Sequence, residues 1–500
     1  MSGKKYRIAW LLLLTLALII RVGVGLYWNN NVAQRSEAAP TAGGNVDGPF
    51  FYGDSDSYWK LARAVAFRRP YEFDEVRRWQ IFRTPGYPAL LAPLFWIYGE
   101  NPPTIAARLE GAVFGMLNVA LVGWLAIVIF GNTKRGRFVA LLAGIAVAID
   151  PTEALQSVSI LSEEPFMTFS ILLNIGLVQS ARYFGLLSSN NGNLDEDARQ
   201  PENGGCESPL YVAAHNVLTM KKTLAFAAVM AFTLACALYL RPSWYYFLPF
   251  SCLVLFFGRF LNDFLRGRLR TNALWTAKTL FSLIYCALAT LLLTQAFLAP
   301  WTLRNLKLTG KPIPTSLQMG ASLYDGLSPM ATGASDMTFV DWFREEELAS
   351  PSAPEDVHFE VRLDKRMKDA SIAWIKKHPQ EVLRLACVKF YRLWAPVPRE
   401  QAFNKPLLKA ALLVSYLPVM ILGLIGLIRA LRKDHAVWIL AIPALYITAL
   451  HVVFVSSIRY RVPVMYGFAI LGAYWLSEAG PSLLKMRNVV DKSDNLTIKE

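Results

Sequence analysis

KKYRIAWLLLLTLALIIRVGVGLYW, residues 4–28, opens with three cations, Lys4, Lys5 and Arg7, and continues into a predominantly apolar run from Ile8 to Trp28. About twenty apolar residues in helical form cross a hydrocarbon core of roughly 30 Å. The stretch is similar to a secretory signal, but no clear small-residue cleavage site follows it. It therefore reads as a retained first helix, with its cationic end on the cytoplasmic side. Working outward, further apolar runs fall near 108–131, 137–150, 164–184, 223–240, 244–260, 275–299, 407–429, 435–455 and 462–478. The run 137–150 is short for a span, so the count is about ten. The expected architecture is an all-α polytopic membrane protein.

Composition agrees. Of 500 residues, 54% are hydrophobic and 13% aromatic, more than a soluble globular chain carries. The net charge of +14 would suit nucleic acid if it formed one face. Instead Lys and Arg sit in short hinges: Lys134, Arg135 and Arg137; Lys221 and Lys222; Arg266, Arg268 and Arg270; Arg429, Arg432 and Lys433; Lys485 and Arg487. Ten spans put all of these clusters on the same side as the N-terminus, so parity and the positive-inside rule agree. No nucleic-acid partner is expected. Five cysteines, with Cys236, Cys252 and Cys286 inside apolar runs, make neither a disulfide framework nor a Cys/His metal cluster.

The same topology divides the chain into a transmembrane module over 1–300, an extracytoplasmic region over 301–406, transmembrane helices over 407–480 and a cytoplasmic tail over 481–500. Within the first module, residues 29–107 form a long extracytoplasmic loop. That loop contains GDSDSYWKLARAV (53–65), the charged patch EFDEVRRW (72–79) and GYPALLAPLFWIYG (86–99), which is too short to span easily and suits a helix lying on the membrane. DASIAWIKKHPQEVLRLACVKFYRLW (369–394), apolar at helical spacing with basic residues between, also reads as interfacial. The polar insert SSNNGNLDEDARQPENGG (188–205) has a disordered composition and faces the cytoplasm. The glycosylation triplet at Asn495 falls in the cytoplasmic tail and is set aside.

Two acids, Asp54 and Asp56, precede an amphipathic helix in the first loop. Helix capping accounts for either of them; so does a general base that takes a proton from an attacking hydroxyl. Other polar residues on the expected outer side favour the second reading. QIFRTPGYP places Arg83 ahead of a turn that contains Tyr87, and ILSEEPF places Glu163 and Glu164 at the outer end of a helix. YLRPSW, LAPWTLRN and SSIRYRVPV add Arg241, Arg304, Arg459, Tyr460 and Arg461. Singly, such arginines are ordinary snorkelling residues. Gathered with acids at one membrane face, they suit an anionic head group, because guanidinium binds phosphate oxygens in bidentate fashion. A sugar on a polyprenyl phosphate fits that chemistry: arginines stabilise the charge growing on the leaving phosphate, and Asp54 or Asp56 deprotonates the acceptor on the opposite face, inverting the anomeric carbon.

With these residues in place the chain resembles a known family. GDSDSYWKLARAV, RTPGYPALLAPLFWIYG, LSEEPF, APWTLRNLKLTGKPIP (299–314) and RYRVPVMYGFAILGAYWL (459–476) stand in the order seen in bacterial relatives of the dolichyl-phosphate-mannose protein mannosyltransferases. These group with the aminoarabinose transferases among the family 39-like GT-C membrane glycosyltransferases. The resemblance runs from the first helix to the last and rests on the ordered set rather than on one motif. It implies a GT-C-type bundle of about 10–12 transmembrane helices with interfacial helices in its extracytoplasmic loops. It also implies a polyprenyl-phosphate sugar donor, a catalytic Asp in the first extracytoplasmic loop and an inverting hexosyl transfer to a hydroxyl of protein, lipid or glycan. The family's acid before the Tyr-containing helix falls on Asp54, four before Tyr58, with Asp56 as the alternative. Its later acid falls on Glu163, with Glu164 beside it, its loop arginine on Arg83, and its Arg-Tyr-Arg-x-Pro on Arg459, Tyr460, Arg461 and Pro463. The eukaryotic members pair Asp directly with Glu, whereas here Ser55 follows Asp54.

The implied setting is the bacterial inner membrane, with the site on its extracytoplasmic side. Asp54 and Asp56 could ligate Mg²⁺ or Mn²⁺, yet two acids without further oxygen ligands make a weak cation site, so no obligatory metal or other cofactor is expected. The competing reading is a transporter or flippase of lipid-linked sugars, which would use the arginines without needing a base; no internal repeat supports it. A scaffolding protein with an incidental acidic loop is the third.

Overall fold

The computed structural model describes residues 3–36, 50, 53–73, 79–183, 209–265, 277–349, 357–398, 405–433 and 437–479. The insert 188–205, the cations Arg266, Arg268 and Arg270, the centre of the patch 72–79 and the tail after 479 lie outside the described residues. Helix α1 (Gly3–Ser36) is followed by α2 (Gly53–Ala66), α3 (Gly86–Tyr98), α4 (Thr104–Phe130), α5 (Lys134–Ile149), α6 (Pro151–Ser157) and α7 (Glu163–Tyr183). The second half contributes α8 (Pro209–Leu240), α9 (Phe247–Leu265) and α10 (Ala277–Thr309), then α11 (Met319–Gly326), α12 (Phe339–Leu348), α13 (Phe359–Lys377) and α14 (Pro379–Trp394). It ends with α15 (Pro406–Lys433), α16 (Ile442–His451), α17 (Ile458–Arg461) and a last helix, α18, over 466–479. Among the described residues the only β feature is an isolated bridge between Phe73 and Trp79.

Among the described residues the apolar runs of the sequence lie largely on helical backbone, but the runs are not equal. Among the described residues five helices are long and apolar enough to cross a membrane: α1, α4, α8, α10 and α15. A sixth span results if α5 and α6, bent by 65° at their junction, count as one. The stretches Pro242–Gly258 and Val437–His451 are shorter, and α7 mixes its apolar residues with Glu163, Glu164, Asn174 and Arg182. Of these, α7 is covered by neighbours and buried along most of its length, whereas Leu11 on α1 and Val414 on α15 are 68% and 74% exposed. Outward-facing leucine and valine of that extent are solvated by acyl chains, and the protein is an integral membrane protein.

Packing around α4 sets the frame. It lies against α1, α5 and α7, and its small residues let the neighbours close in. Gly111 meets the Ser157 carbonyl, and Gly123 receives the ring of Trp10. The α5–α6 break is built locally. Pro151 takes the first position of α6, while Asp150 accepts the backbone N–H of Thr152 and Glu153 at 2.7 and 3.0 Å. Arg21, fully buried on α1, donates to the Val147 and Ala148 carbonyls that the break exposes.

One end of the bundle collects the cationic hinges. Arg135 and Arg429 both pair with Glu478, and Arg182 caps α4 through the Val128 and Ile129 carbonyls. The opposite end carries α2, α3 and a cap formed by α11 to α14, whose small core joins Trp79, Phe339, Leu363 and Met367. Of the two stretches expected to lie in the interface, the first forms α3 and the second forms α13 and α14, broken at His378.

Candidate active site

The site forms where α2, the loop before α3, the start of α7, the end of α8 and α17 meet. Asp54 stands in the first turn of α2. Ser55 Oγ donates to the Ser159 carbonyl at 3.3 Å, and the Tyr58 and Ser162 hydroxyls lie 3.4 Å apart, so α2 is tied to the segment between α6 and α7. Asp54 Oδ1 pairs with Arg83, and its Oδ2 accepts from Arg459 Nη2 at 2.8 Å. Glu163 Oε1 lies 2.7 Å from Arg241 Nη1 and 2.8 Å from Arg459 Nε. The guanidinium groups of Arg241 and Arg459 lie 5.3 and 5.1 Å from the centre of the Tyr460 ring, which stacks in turn on His451 at 4.4 Å. Arg83 is held 5.3 Å over the Tyr58 ring, and Tyr87 meets Tyr58 edge-on at 5.0 Å.

Burial pushes the Asp54 carboxyl up, but Arg83 and Arg459 outweigh it and hold Asp54 well below the usual carboxylate range. It is ionised at any physiological pH. Burial raises the Tyr87 phenol well above its ordinary value, so that hydroxyl stays protonated. Exposure is unequal: Asp54 retains 28% of its side-chain surface, whereas Glu163 keeps 2%.

The loop that carries Arg83 is fixed from two directions. Arg304 donates to the carbonyls of Gln80 at 2.9 Å and Tyr71 at 3.2 Å, and Glu360 of the cap accepts the N–H of Gln80 at 2.8 Å and of Ile81 at 3.1 Å. Gly86, at the start of α3, presses on α8: a Cβ there would lie 2.5 Å from the Tyr239 carbonyl oxygen. Only glycine lets the Arg83 turn sit this close to the end of α8, where Arg241 follows.

The structure therefore brings Asp54, Arg83, Glu163, Arg241, Arg459 and Tyr460 together, with Tyr87 behind them, and leaves four of the sequence candidates elsewhere. Asp56 projects from another face of α2 and pairs with Lys60 at 2.8 Å, one helical turn on. Glu164 turns into the bundle and accepts from Asn118 Nδ2 at 2.9 Å. Arg304 serves the loop backbone. Arg461, 3% exposed, donates to the Leu393 and Ala395 carbonyls at 2.8 and 2.5 Å and lies over Tyr416. Sequence reasoning passed over Ser55, Ser162, Gln156 and His451. Gln156 donates to the Arg459 carbonyl at 3.4 Å, and nothing in its local sequence sets it apart. Arg21 had a signal, an arginine inside an apolar run. Among the described residues no group of three or more His, Cys, Asp or Glu gathers in a metal-holding arrangement.

No family model matches the sequence, and no curated protein matches it. Solved structures do. The archaeal oligosaccharyltransferase AglB from Archaeoglobus fulgidus, in complex with an inhibitory peptide and a dolichol-phosphate, superposes with a TM-score of 0.51 at 12% identity, over 98% of this chain and 52% of that one. The apo form of the Archaeoglobus fulgidus oligosaccharyltransferase gives 0.50 at 14% identity, over 97% and 52%. ArnT from Cupriavidus metallidurans bound to undecaprenyl phosphate gives 0.33 at 13% identity, over 94% and 77%, too low an overlap to carry weight. The chain spans about half the length of the oligosaccharyltransferase it matches. At these identities the likeness speaks to the fold alone, and the fold is a GT-C-type membrane bundle.

Proposed function

We propose that this protein is an inverting glycosyltransferase that moves a sugar from a polyprenyl-phosphate donor to an acceptor hydroxyl at the extracytoplasmic face of a bacterial inner membrane. The observation that carries the reading is the meeting of one part-exposed carboxylate, Asp54, with Arg83, Arg459 and, through Glu163, Arg241. A lipid-borne phosphate at the membrane surface supplies the anion that such arginines select. The fold supports the same direction, since the AglB match carries a dolichol-phosphate in its own complex.

In this reaction the acceptor oxygen forms its bond to the anomeric carbon while the bond from that carbon to the phosphate oxygen breaks, its electron pair leaving with the phosphate. The acceptor proton goes to Asp54. Attack from the face opposite the leaving group inverts the centre, and no covalent sugar–enzyme intermediate is formed. Charge supports a single phosphate. Arg83, Arg241 and Arg459 contribute +3 and Asp54 and Glu163 contribute −2, leaving +1. A donor phosphodiester of charge −1 neutralises the site. After transfer the phosphate carries −2, but Asp54 has taken the proton, and the sum is again zero. Fixed cations that gain in attraction as the leaving group charges up lower the barrier rather than only bind substrate.

The test is incubation of purified protein with a panel of radiolabelled polyprenyl-phosphate sugars and membrane acceptors, followed by identification of the labelled product and its anomeric configuration. Transfer with inversion from one donor is the expected result, and EDTA is expected to leave the rate unchanged. Binding without any transfer, unaffected by Asp54→Asn, would favour the transporter alternative.

A further inference from the structure

The ion pairs of the site place the base and the phosphate grip in competition. Both oxygens of Asp54 are occupied, Oδ1 by Arg83 and Oδ2 by Arg459 at 2.8 Å. A carboxylate held by two guanidinium groups is a poor proton acceptor, and a general base must have its lone pair aimed at the hydroxyl it serves. We propose that the donor's phosphate takes Arg459 from Asp54, so that Asp54 acts as a base only once donor is bound, and that Glu163 is the positioning residue that holds Arg459 during the exchange. This rests on the donor reading above and adds to it a compulsory order: donor first, then activation of the acceptor.

The geometry divides the two acids into an exchangeable and a permanent partner. Arg459 donates from Nη2 to Asp54 at 2.8 Å, and its Nε lies 2.8 Å from the buried Glu163 Oε1 as an ion pair without a hydrogen bond. Its Nη2 edge can therefore change anion while its Nε edge stays fixed. Glu163 is almost fully enclosed and also anchors Arg241 at 2.7 Å, whereas Asp54 is the acid that incoming groups can reach. Beneath both arginines lies Tyr460, and beneath Tyr460 the buried His451, so the two guanidinium groups rest on a stacked base rather than on flexible loop. Ser457 accepts the Arg459 backbone N–H, and Gln156 donates to its carbonyl at 3.4 Å, which fixes the main chain. Arg83 has a further donor in reserve: its Nε is buried without a hydrogen-bond partner. An arriving phosphate thus finds a movable edge on Arg459 and an unused donor on Arg83. What it displaces is the carboxylate that the reaction next requires. A latch of this kind also keeps the site from activating water before donor arrives, and its re-formation once Asp54 has passed its proton to solvent helps to expel the lipid phosphate.

The experiment uses the full chain in nanodiscs and undecaprenyl phosphate as the probe. Its affinity is measured for wild type, Asp54→Asn, Asp54→Ser and Glu163→Gln. Removal of the competing carboxylate is expected to tighten binding about tenfold in both Asp54 variants, and Glu163→Gln to weaken it by about as much. In the wild type, carbodiimide-driven coupling of an amine to Asp54, read by mass spectrometry, is expected to rise when the lipid phosphate is added. Unchanged or weaker binding in both Asp54 variants overturns the exchange while leaving the donor reading intact. Failure of undecaprenyl phosphate to bind wild type and all variants overturns the donor reading and the exchange with it.

Discussion

Arg459 and Arg461 stand two residues apart in one short helix and belong to different parts of the molecule. Arg459 faces two carboxylates, one of them part-exposed, and an aromatic ring. Arg461 is buried against the end of α14, and its bonds go to backbone carbonyls. Arg21 and Arg304 follow the second pattern, fastening the α5 terminus and the Arg83 loop. A carbonyl partner cannot be exchanged without unfolding something; a carboxylate partner can be traded for another anion. That difference separates the arginines of the site from the arginines of the scaffold, although the sequence writes both alike.

Asp54→Asn is the sharpest way to break this division. It should lower kcat by about 10²–10⁴-fold, the usual worth of a positioned general base, while the protein stays folded; a steady-state assay with labelled donor reads it. Arg459→Met is next, with kcat/KM for the donor expected to fall by about 10²–10³-fold as one cation facing the leaving phosphate is lost. Arg461→Met should behave in the opposite way. It leaves the carbonyls of Leu393 and Ala395 without their donor, costing about 1–3 kcal/mol of stability, seen as a lower Tm, while kcat of the folded fraction stays near the wild-type value. Equal catalytic losses in Arg459→Met and Arg461→Met would erase the distinction.

Acid sharpens the same contrast. Asp54 titrates below its unfolded value when folded, so its ion pairs contribute fully above the unfolded pKa of about 4, and that contribution is lost as pH falls toward the folded value. The Tm advantage of wild type over Asp54→Asn should therefore shrink from about pH 5 downward. The smallest effect is assigned to Asp56→Asn, which removes only a surface pair with Lys60; stability should move by no more than about 0.5 kcal/mol and kcat should hold. A large catalytic loss in that variant would transfer the base from Asp54 to Asp56.

Hydropathy made the helices readable, because a lipid-facing helix must hide its backbone and show apolar side chains over its whole length. It could not rank them. α7 and the stretch leading into α18 read as spans like any other, yet they are covered by protein, and what distinguishes them is who their neighbours are. The site was legible as an inventory but not as an arrangement. Asp54 and Asp56 differ by two positions, about 200° around a helix, so only one of them faces the cleft, and the choice depends on how Ser55 and Tyr58 dock on the segment 159–162. The pairing of Asp54 with Arg459 joins residues 405 positions apart, a closure that no local pattern encodes. Glu163 and Glu164 are adjacent acids at a helix start, and the α7 rotation that α4 imposes through Asn118 sends one to the cleft and the other to the interior.

Gly86 gives the grip its calibre. The turn bearing Arg83 and the end of α8 leading to Arg241 touch there with no side chain between them. A methyl group at that position would act as a shim, widening the jaw by roughly its own thickness while every charged residue kept its identity. Such a protein would carry a complete set of tools set to the wrong gauge, and its error would be one of fit to the donor rather than of chemistry.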